Sequence, residues 1–227
     1  MTIEQGSVGW HQARCGFVTA SCFKLVLTQP REKAARERGD WSQTAMSYVV
    51  ELATERLYGF PLDDIQTKAM AWGSEWEEEA RREAMQVISD EFDESVLLAG
   101  FVTRDDLPWI GCSPDGFVGD DGVLELKCPY NPVNHIKTVQ HAEIPKVYVP
   151  QVQGQIWLCD KRYAIYASFD PRLRDVGVDP LFWMWIDRDD RYIDAVLAPT
   201  IIRFRDAVND ECRTLLQKLV ALEQLDR

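Results

Sequence analysis

The stretch Ser113-Pro114-Asp115-Gly116-Phe117-Val118-Gly119-Asp120-Asp121-Gly122-Val123-Leu124-Glu125-Leu126-Lys127-Cys128 decides how this chain is read, because one β-hairpin would bring its aspartate, glutamate and lysine together. Phe117-Val118 and Val123-Leu124 flank Gly119-Asp120-Asp121-Gly122, a turn cluster. With Asp120 to Gly122 as the loop and Gly122 at positive φ, Gly119 pairs with Val123, Phe117 with Glu125 and Asp115 with Lys127. Strand side chains alternate, so Asp115, Glu125 and Lys127 share a face while Leu124, Leu126 and Cys128 form an apolar underside. A slip of one residue would scatter the three ionic groups.

Two carboxylates and an ammonium at one spot suit metal-assisted phosphodiester hydrolysis, which needs oxygen ligands for Mg²⁺ and a cation or base beside the attacking water. A solvated hairpin with ordinary surface charges is the competing explanation. The short pattern alone does not separate the two; its neighbours do.

A chain of 227 residues supports one substantial core, and no linker divides it, so a single domain over 1–227 is expected. No signal-peptide pattern or membrane-length apolar run is present in the sequence, which predicts a cytoplasmic protein with no membrane partner. The six cysteines form no Cys-x-x-Cys pair and the three histidines no His-Glu-x-x-His, so zinc, iron–sulfur and disulfide frameworks are not indicated. A net charge of −12 argues against a protein coated in nucleic acid. DNA would have to be met in a local basic channel, with salt-sensitive binding.

Along the chain, Thr19 or Ser21 is placed to cap a short helix toward Leu27; this segment reads either as simple capping with Arg14 a surface residue, the reading the segment alone favours, or as a dock for a phosphate with Arg14 as its charged partner. Pro30 to Asp40 reads as an exposed charged arm. Ser42 to Tyr58 reads as a helix closed by Gly59, with Met46, Val49, Val50, Ala53 and Leu57 toward the core. A second helix begins near Lys68 or Ser74 and runs to Ile88 on a stripe of Trp72, Trp76, Ala80, Ala84, Val87 and Ile88. Glu77 reads either as the closing member of a Ser74 capping box or as a further metal ligand. Strands are expected over 96–103, 109–112 and 123–128, followed by an irregular proline-rich connection. A helix from Gln151 to Leu158 then places Gln151 and Gln155 on one face. Strands Ala164–Phe169 and Leu181–Ile186 follow. A long helix over Pro199–Leu225 carries Ile201, Val208, Leu215 and Leu222 at seven-residue intervals, a seam for a helix of this domain or of a second subunit.

Six ordered segments, Trp-His-x-x-Arg-x-Gly-x-x-Thr-Ala-Ser (10–21), Ala-Trp-Gly-x-x-x-Glu (71–77), Cys-Ser-Pro-Asp-Gly (112–116), Leu-Glu-Leu-Lys-Cys-Pro (124–129), Gln-Val-Gln (151–153) and Asp-Pro-Arg (170–172), resemble the λ-exonuclease-type viral recombinase family of alkaline exonucleases. The resemblance implies an α/β fold with a restriction-endonuclease-like PD-(D/E)-x-K core, a mixed central sheet flanked by helices. It also implies Mg²⁺-dependent 5′→3′ digestion of one strand of linear double-stranded DNA, a ring-shaped homotrimer and a single-strand-annealing partner. Carried over, Asp115, Glu125 and the Leu126 carbonyl would hold metal, Lys127 would sit by the nucleophilic water, and Glu77 and Gln151 would line the site. Arg14, Thr19 and Ser21 would grip a 5′ phosphate, and Arg31, Lys68 and Met70 would touch DNA at the entry. The chemistry expected uses two Mg²⁺ ions, about 3.5–4 Å apart in such sites, with Mn²⁺ as a substitute. Val133 stands where the λ enzyme has arginine, and Gln155 where broader nuclease relatives carry tyrosine. The alternatives are an endonuclease on the same core, which would nick closed circles, and a DNA-end scaffold that does not cut.

Overall fold

Side-chain caps at Ser7, Ser42, Thr67 and Asn131 satisfy the free amides at four helix starts in a computed structural model that describes residues 5–62 and 67–225. In chain order the elements are α1 (Val8–Arg14), β1 (Val18–Thr19), α2 (Phe23–Val26), α3 (Lys33–Arg38), α4 (Gln43–Tyr58), α5 (Lys68–Phe92), β2 (Val96–Leu97), β3 (Val102–Thr103) and β4 (Ile110–Cys112). There follow β5 (Gly116–Val118), β6 (Gly122–Lys127), α6 (Pro132–His141), α7 (Val149–Leu158), β7 (Tyr163–Phe169), β8 (Leu181–Asp187), α8 (Asp190–Tyr192) and, after a π-helical turn Ile193–Leu197, α9 (Ala198–Leu225). They build two compact units. Among the described residues no helix is long and apolar enough to cross a membrane.

The first unit is drawn from Met1–Asp63, Phe101–Cys112 and Asp190–Arg227. Its sheet has the order β1-β4-β3, with β1 parallel and β3 antiparallel to β4. Ser42 Oγ accepts the Ala45 amide at the start of α4, and Gly59, at φ 74°, ends it in the left-handed conformation that glycine tolerates. The helix buries Ala45, Tyr48, Val49, Leu52 and Ala53, and Tyr48 stacks on Phe204 of α9 with ring centroids 5.5 Å apart. The expected core face was turned too far: Met46 and Val50 are exposed, because α9 approaches from the Tyr48–Leu52 side. The seven-residue seam of α9 divides similarly. Ile201 and Val208 are buried with Phe204, whereas Leu219 and Leu222 face outward. Pro30–Asp40 is exposed as expected but contains a short helix, α3, which Gly39 terminates at φ 75°.

The second unit, Asp64–Gly100 with Ser113–Asp189, holds a mixed five-stranded sheet of order β2-β5-β6-β7-β8. Only β6 and β7 run parallel, and the other neighbours are antiparallel. Helices cover both faces. Ala84 and Ile88 of α5 pack on Val118, Leu124, Leu126, Ile165 and Ala167, while Val152 and Ile156 of α7 pack on Val123, Ala164 and Tyr166. Each of these valine, leucine and isoleucine side chains, once fully buried, contributes about 1.5–3 kcal/mol.

Three sequence expectations change here. The strand expected over 96–103 is two short strands, β2 in the five-stranded sheet and β3 in the three-stranded one. Thr67, whose Oγ1 accepts the Met70 amide, starts α5; Ser74 therefore lies inside the helix and forms no capping box. The proline-rich connection contains α6, because Asn131 caps it and Pro132, with φ preset, occupies its first turn.

Candidate active site

The hairpin places its charges on one face through a register different from the expected one. Phe117 pairs with Val123 and Val118 with Gly122, so the loop is Gly119 to Asp121 and Gly119, at φ 49°, takes the positive angle assigned to Gly122. Gly122 stays in the strand, where an added Cβ would lie 2.4 Å from the Tyr163 ring. The offset is two residues, an even number, so the faces survive. Asp115, whose amide donates to the Leu124 carbonyl at 2.9 Å, now stands beside Glu125 instead of Lys127.

Glu125 lies on the α7 side of the sheet with its side chain 2% exposed. A carboxylate so far from water needs donors on both oxygens. Oε1 is hydrogen-bonded by the Lys127 ammonium and by Gln151 Nε2 at 2.5 Å; Oε2 is hydrogen-bonded by Gln155 Nε2 at 2.6 Å. Gln151 and Gln155 meet the same carboxylate because they are one turn apart on α7. Beneath the ammonium lies the Tyr148 ring, its centroid 5.1 Å from Lys127 Nζ.

Asp115 is held by its own neighbour strand, Oδ2 accepting the Leu126 amide at 2.6 Å. Burial, and next the Glu125 charge, raise its pKa to about 8 despite the opposing effects of Lys127 and the Leu126 amide. Burial would lower Lys127, but Glu125 and Asp115 outweigh it and keep the ammonium above its usual pKa. With both acids ionised the spot would carry more negative charge than one ammonium balances, which, with burial, is why Asp115 keeps its proton. A divalent cation would remove that excess, and the donor set fits one. Among the described residues no three His, Cys, Asp or Glu side chains gather, so a cation would draw on Asp115, Glu125, the Leu126 carbonyl and then water or phosphate oxygens, as Mg²⁺ does. The Leu126 side chain itself points into the apolar layer under α5.

Glu77 sits in α5 with its carboxylate 2.5 Å from Arg81. Its charge is felt at Asp115 and at Cys128, whose thiol burial first of all pushes up to about 12. It borders the site while paired elsewhere. The sequence segment Asp-Pro-Arg carried no assigned role, and the structure gives it one. Arg172 grips the buried Asp170 through two bonds of 2.7 Å, donates to the Pro129 and Tyr130 carbonyls, and lies over the Trp72 ring at 4.6 Å. This anchors the backbone just past Lys127.

In the first unit, Arg14, Thr19 and Ser21 do assemble. Arg14 Nη2 donates to Ser21 Oγ at 3.3 Å, Thr19 Oγ1 lies 3.3 Å from the same oxygen, and the guanidinium is stacked 4.0 Å over Trp10. Burial is the main reason the Arg14 pKa falls below the usual arginine value. The expected short helix toward Leu27 is present as a 3₁₀ turn Ala20–Cys22 leading into the four-residue α2, with Thr19 in the N-cap position of the turn, but neither hydroxyl makes the expected capping bond. Arg31 is exposed in this unit. Lys68 and Met70 are exposed in the first turn of α5, in the second unit.

A mixed sheet between helices, with Pro114-Asp115 entering one strand and Glu125-Leu126-Lys127 ending the next, defines a restriction-endonuclease-like PD-(D/E)-x-K nuclease core. The chain belongs to the YqaJ-like viral recombinase family, whose model matches residues 9–162. Its structure is similar to an alkaline exonuclease of Laribacter hongkongensis, at 30% identity over 95% of this chain and 100% of that one, with a TM-score of 0.80. The same enzyme in complex with dAMP matches equally, with a TM-score of 0.80. A phage-related exonuclease of Haemophilus somnus 129PT shares the fold at 19% identity, covering 89% of this chain and 96% of that one, with a TM-score of 0.62. No curated protein matches the sequence.

Proposed function

We propose that this protein is a Mg²⁺-dependent 5′→3′ exonuclease that digests one strand of linear double-stranded DNA to mononucleotides, leaving a 3′ single strand for phage-type recombination. One observation carries the reading: Asp115, Glu125 and Lys127 converge at one buried spot, where a divalent cation would balance the charge of the two carboxylates once both ionise. The similar Laribacter enzyme is an alkaline exonuclease and has been seen with dAMP, a deoxynucleoside monophosphate, in keeping with mononucleotide release.

In this reading Asp115, Glu125 and the Leu126 carbonyl hold the metal, two ions when substrate is bound, with Mn²⁺ able to replace Mg²⁺. Bound there, the metal supplies Lewis acidity to the scissile phosphate and makes nearby water more acidic. Lys127 holds positive charge where the phosphate gains negative charge, and Gln151 keeps Glu125 aimed. Arg14, with Thr19 and Ser21, receives the terminal 5′ phosphate. Arg31, Lys68 and Met70 meet the duplex at the entry, with Glu77 tuning charge at the site's border. The two units act as one nuclease domain in the cytoplasm of a bacterium or phage-infected host, as a toroidal homotrimer working with a single-strand-annealing protein.

The test is a linear duplex labelled at either the 5′ or the 3′ end of a strand, incubated with and without Mg²⁺. The 5′ label should leave first, as mononucleotide and only with metal. Early release of the 3′ label, or cutting of closed circles, would overturn the assignment.

A further inference from the structure

Gln155 is 1% exposed and faces the catalytic carboxylate from the middle of α7. Its Nε2 bonds Glu125 Oε2 at 2.6 Å and lies 3.5 Å from the Ser113 carbonyl, two residues before Asp115. The amide therefore joins the strand that carries Glu125 to the segment that delivers Asp115. Its orientation is fixed by chemistry, since a flipped amide would set its oxygen against a carboxylate oxygen. In the observed orientation Oε1 is buried without a hydrogen-bond partner, so the donor contacts outweigh that cost. A tyrosine at this place would offer one O–H; the glutamine offers two N–H hydrogens, enough for both partners.

We infer that Gln155 is a positioning residue: it fixes the rotation of the Glu125 carboxylate, and through it the affinity of the site for a divalent cation, without touching substrate. This rests on the metal-dependent reading proposed above. Oε1 of Glu125 keeps two donors when Gln155 is lost, whereas Oε2 loses its amide donor, so the carboxylate is free to turn about Lys127 and Gln151. Groups that orient a metal-binding side chain from behind typically change metal affinity by about 10–100-fold.

The experiment uses Gln155→Met, which keeps length and helix propensity but removes the amide. Mn²⁺ is titrated into the DNA-free protein and followed by the electron-spin signal of the free ion; separately, nuclease rate is measured against Mg²⁺ concentration. Mn²⁺ affinity should weaken about 10–100-fold and the half-activating Mg²⁺ concentration should rise by a similar factor, with the saturated rate nearly retained. Unchanged Mn²⁺ binding, or a collapsed rate with an unshifted Mg²⁺ midpoint, overturns the assignment. If the parent protein itself takes up no Mn²⁺, the metal reading fails first and this inference falls with it. Should Gln155→Met not fold, the parent decides. Its Gln155 side-chain N–H resonances should be protected from exchange and shift with Mg²⁺, and rapid exchange with no shift would refute the clamp.

Discussion

Asp115 is pinned by Leu126: its Oδ2 accepts the Leu126 amide at 2.6 Å, so the residue whose carbonyl is assigned to the metal also fixes one of the two carboxylates. That bond favours the ionised acid, yet burial and Glu125 override it and lift the pKa to about 8. Stability must follow. An unfolded aspartate ionises near pH 3.9, about where the folded one is still protonated. The group's favourable contribution is fully present below about pH 4 and is lost progressively as pH rises toward 8. In EDTA, the metal-free parent should therefore weaken over that window relative to Asp115→Asn. Urea unfolding at pH 4.5 and pH 8.5 checks it: the variant's advantage should be larger at pH 8.5, and an equal advantage at both would contradict the shift.

Glu125→Gln and Lys127→Met should each lower mononucleotide release by at least about 10²–10³-fold, the usual effect of removing a preorganised charged group. Both should still unfold cooperatively. Glu125→Gln keeps the shape but loses the charge and one of the two acceptor oxygens, so its loss should persist at high Mg²⁺. Full activity in either variant would remove that residue from the mechanism.

The ionic face of the hairpin was legible because parity, not register, decides it. A shift of two residues changed every partner and left Asp115, Glu125 and Lys127 on one side. Which glycine turns the loop was not legible, because Gly122 is held in the strand by Tyr163, about forty residues on. The Gln151–Gln155 spacing on α7 was also readable, though nothing local announced that both amides would meet Glu125. Asn131-Pro132 looked like a break because proline stops a helix from inside yet suits its first turn. Met46 and Val50 were misplaced since the helix pattern is apolar on a wide arc, and only the approach of α9 selects Tyr48 and Leu52.

Arg14→Ala should erase any preference for 5′-phosphorylated over 5′-hydroxyl ends. The stacked guanidinium over Trp10 also contributes packing, so a stability loss of about 1 kcal/mol should accompany it. Trp10→Leu separates the two effects. It should reproduce the loss of stability while retaining much of the end preference, because the guanidinium and Ser21 remain. An unchanged preference in Arg14→Ala would place phosphate recognition elsewhere.

Arg172 tests whether the backbone past Lys127 needs its anchor. Asp170 is 2% exposed and its pKa is held below the usual value by two Arg172 side-chain bonds and one backbone bond, which together overcome burial. Removing the guanidinium leaves that buried carboxylate without its charge partner, a loss that typically costs about 3–5 kcal/mol; Arg172→Ala should fall near the lower end because the backbone amide at position 172 still donates to Asp170 and the arginine itself is partly exposed. Arg172→Lys keeps the charge but cannot make the paired contact with Asp170 while also reaching the Pro129 and Tyr130 carbonyls. It should therefore recover part of the stability, and less of the nuclease rate, because the rate depends on where the Cys128–Tyr130 backbone holds Lys127. Equal recovery of both quantities, measured by urea unfolding and by mononucleotide release at saturating Mg²⁺, would show that Arg172 only stabilises the fold.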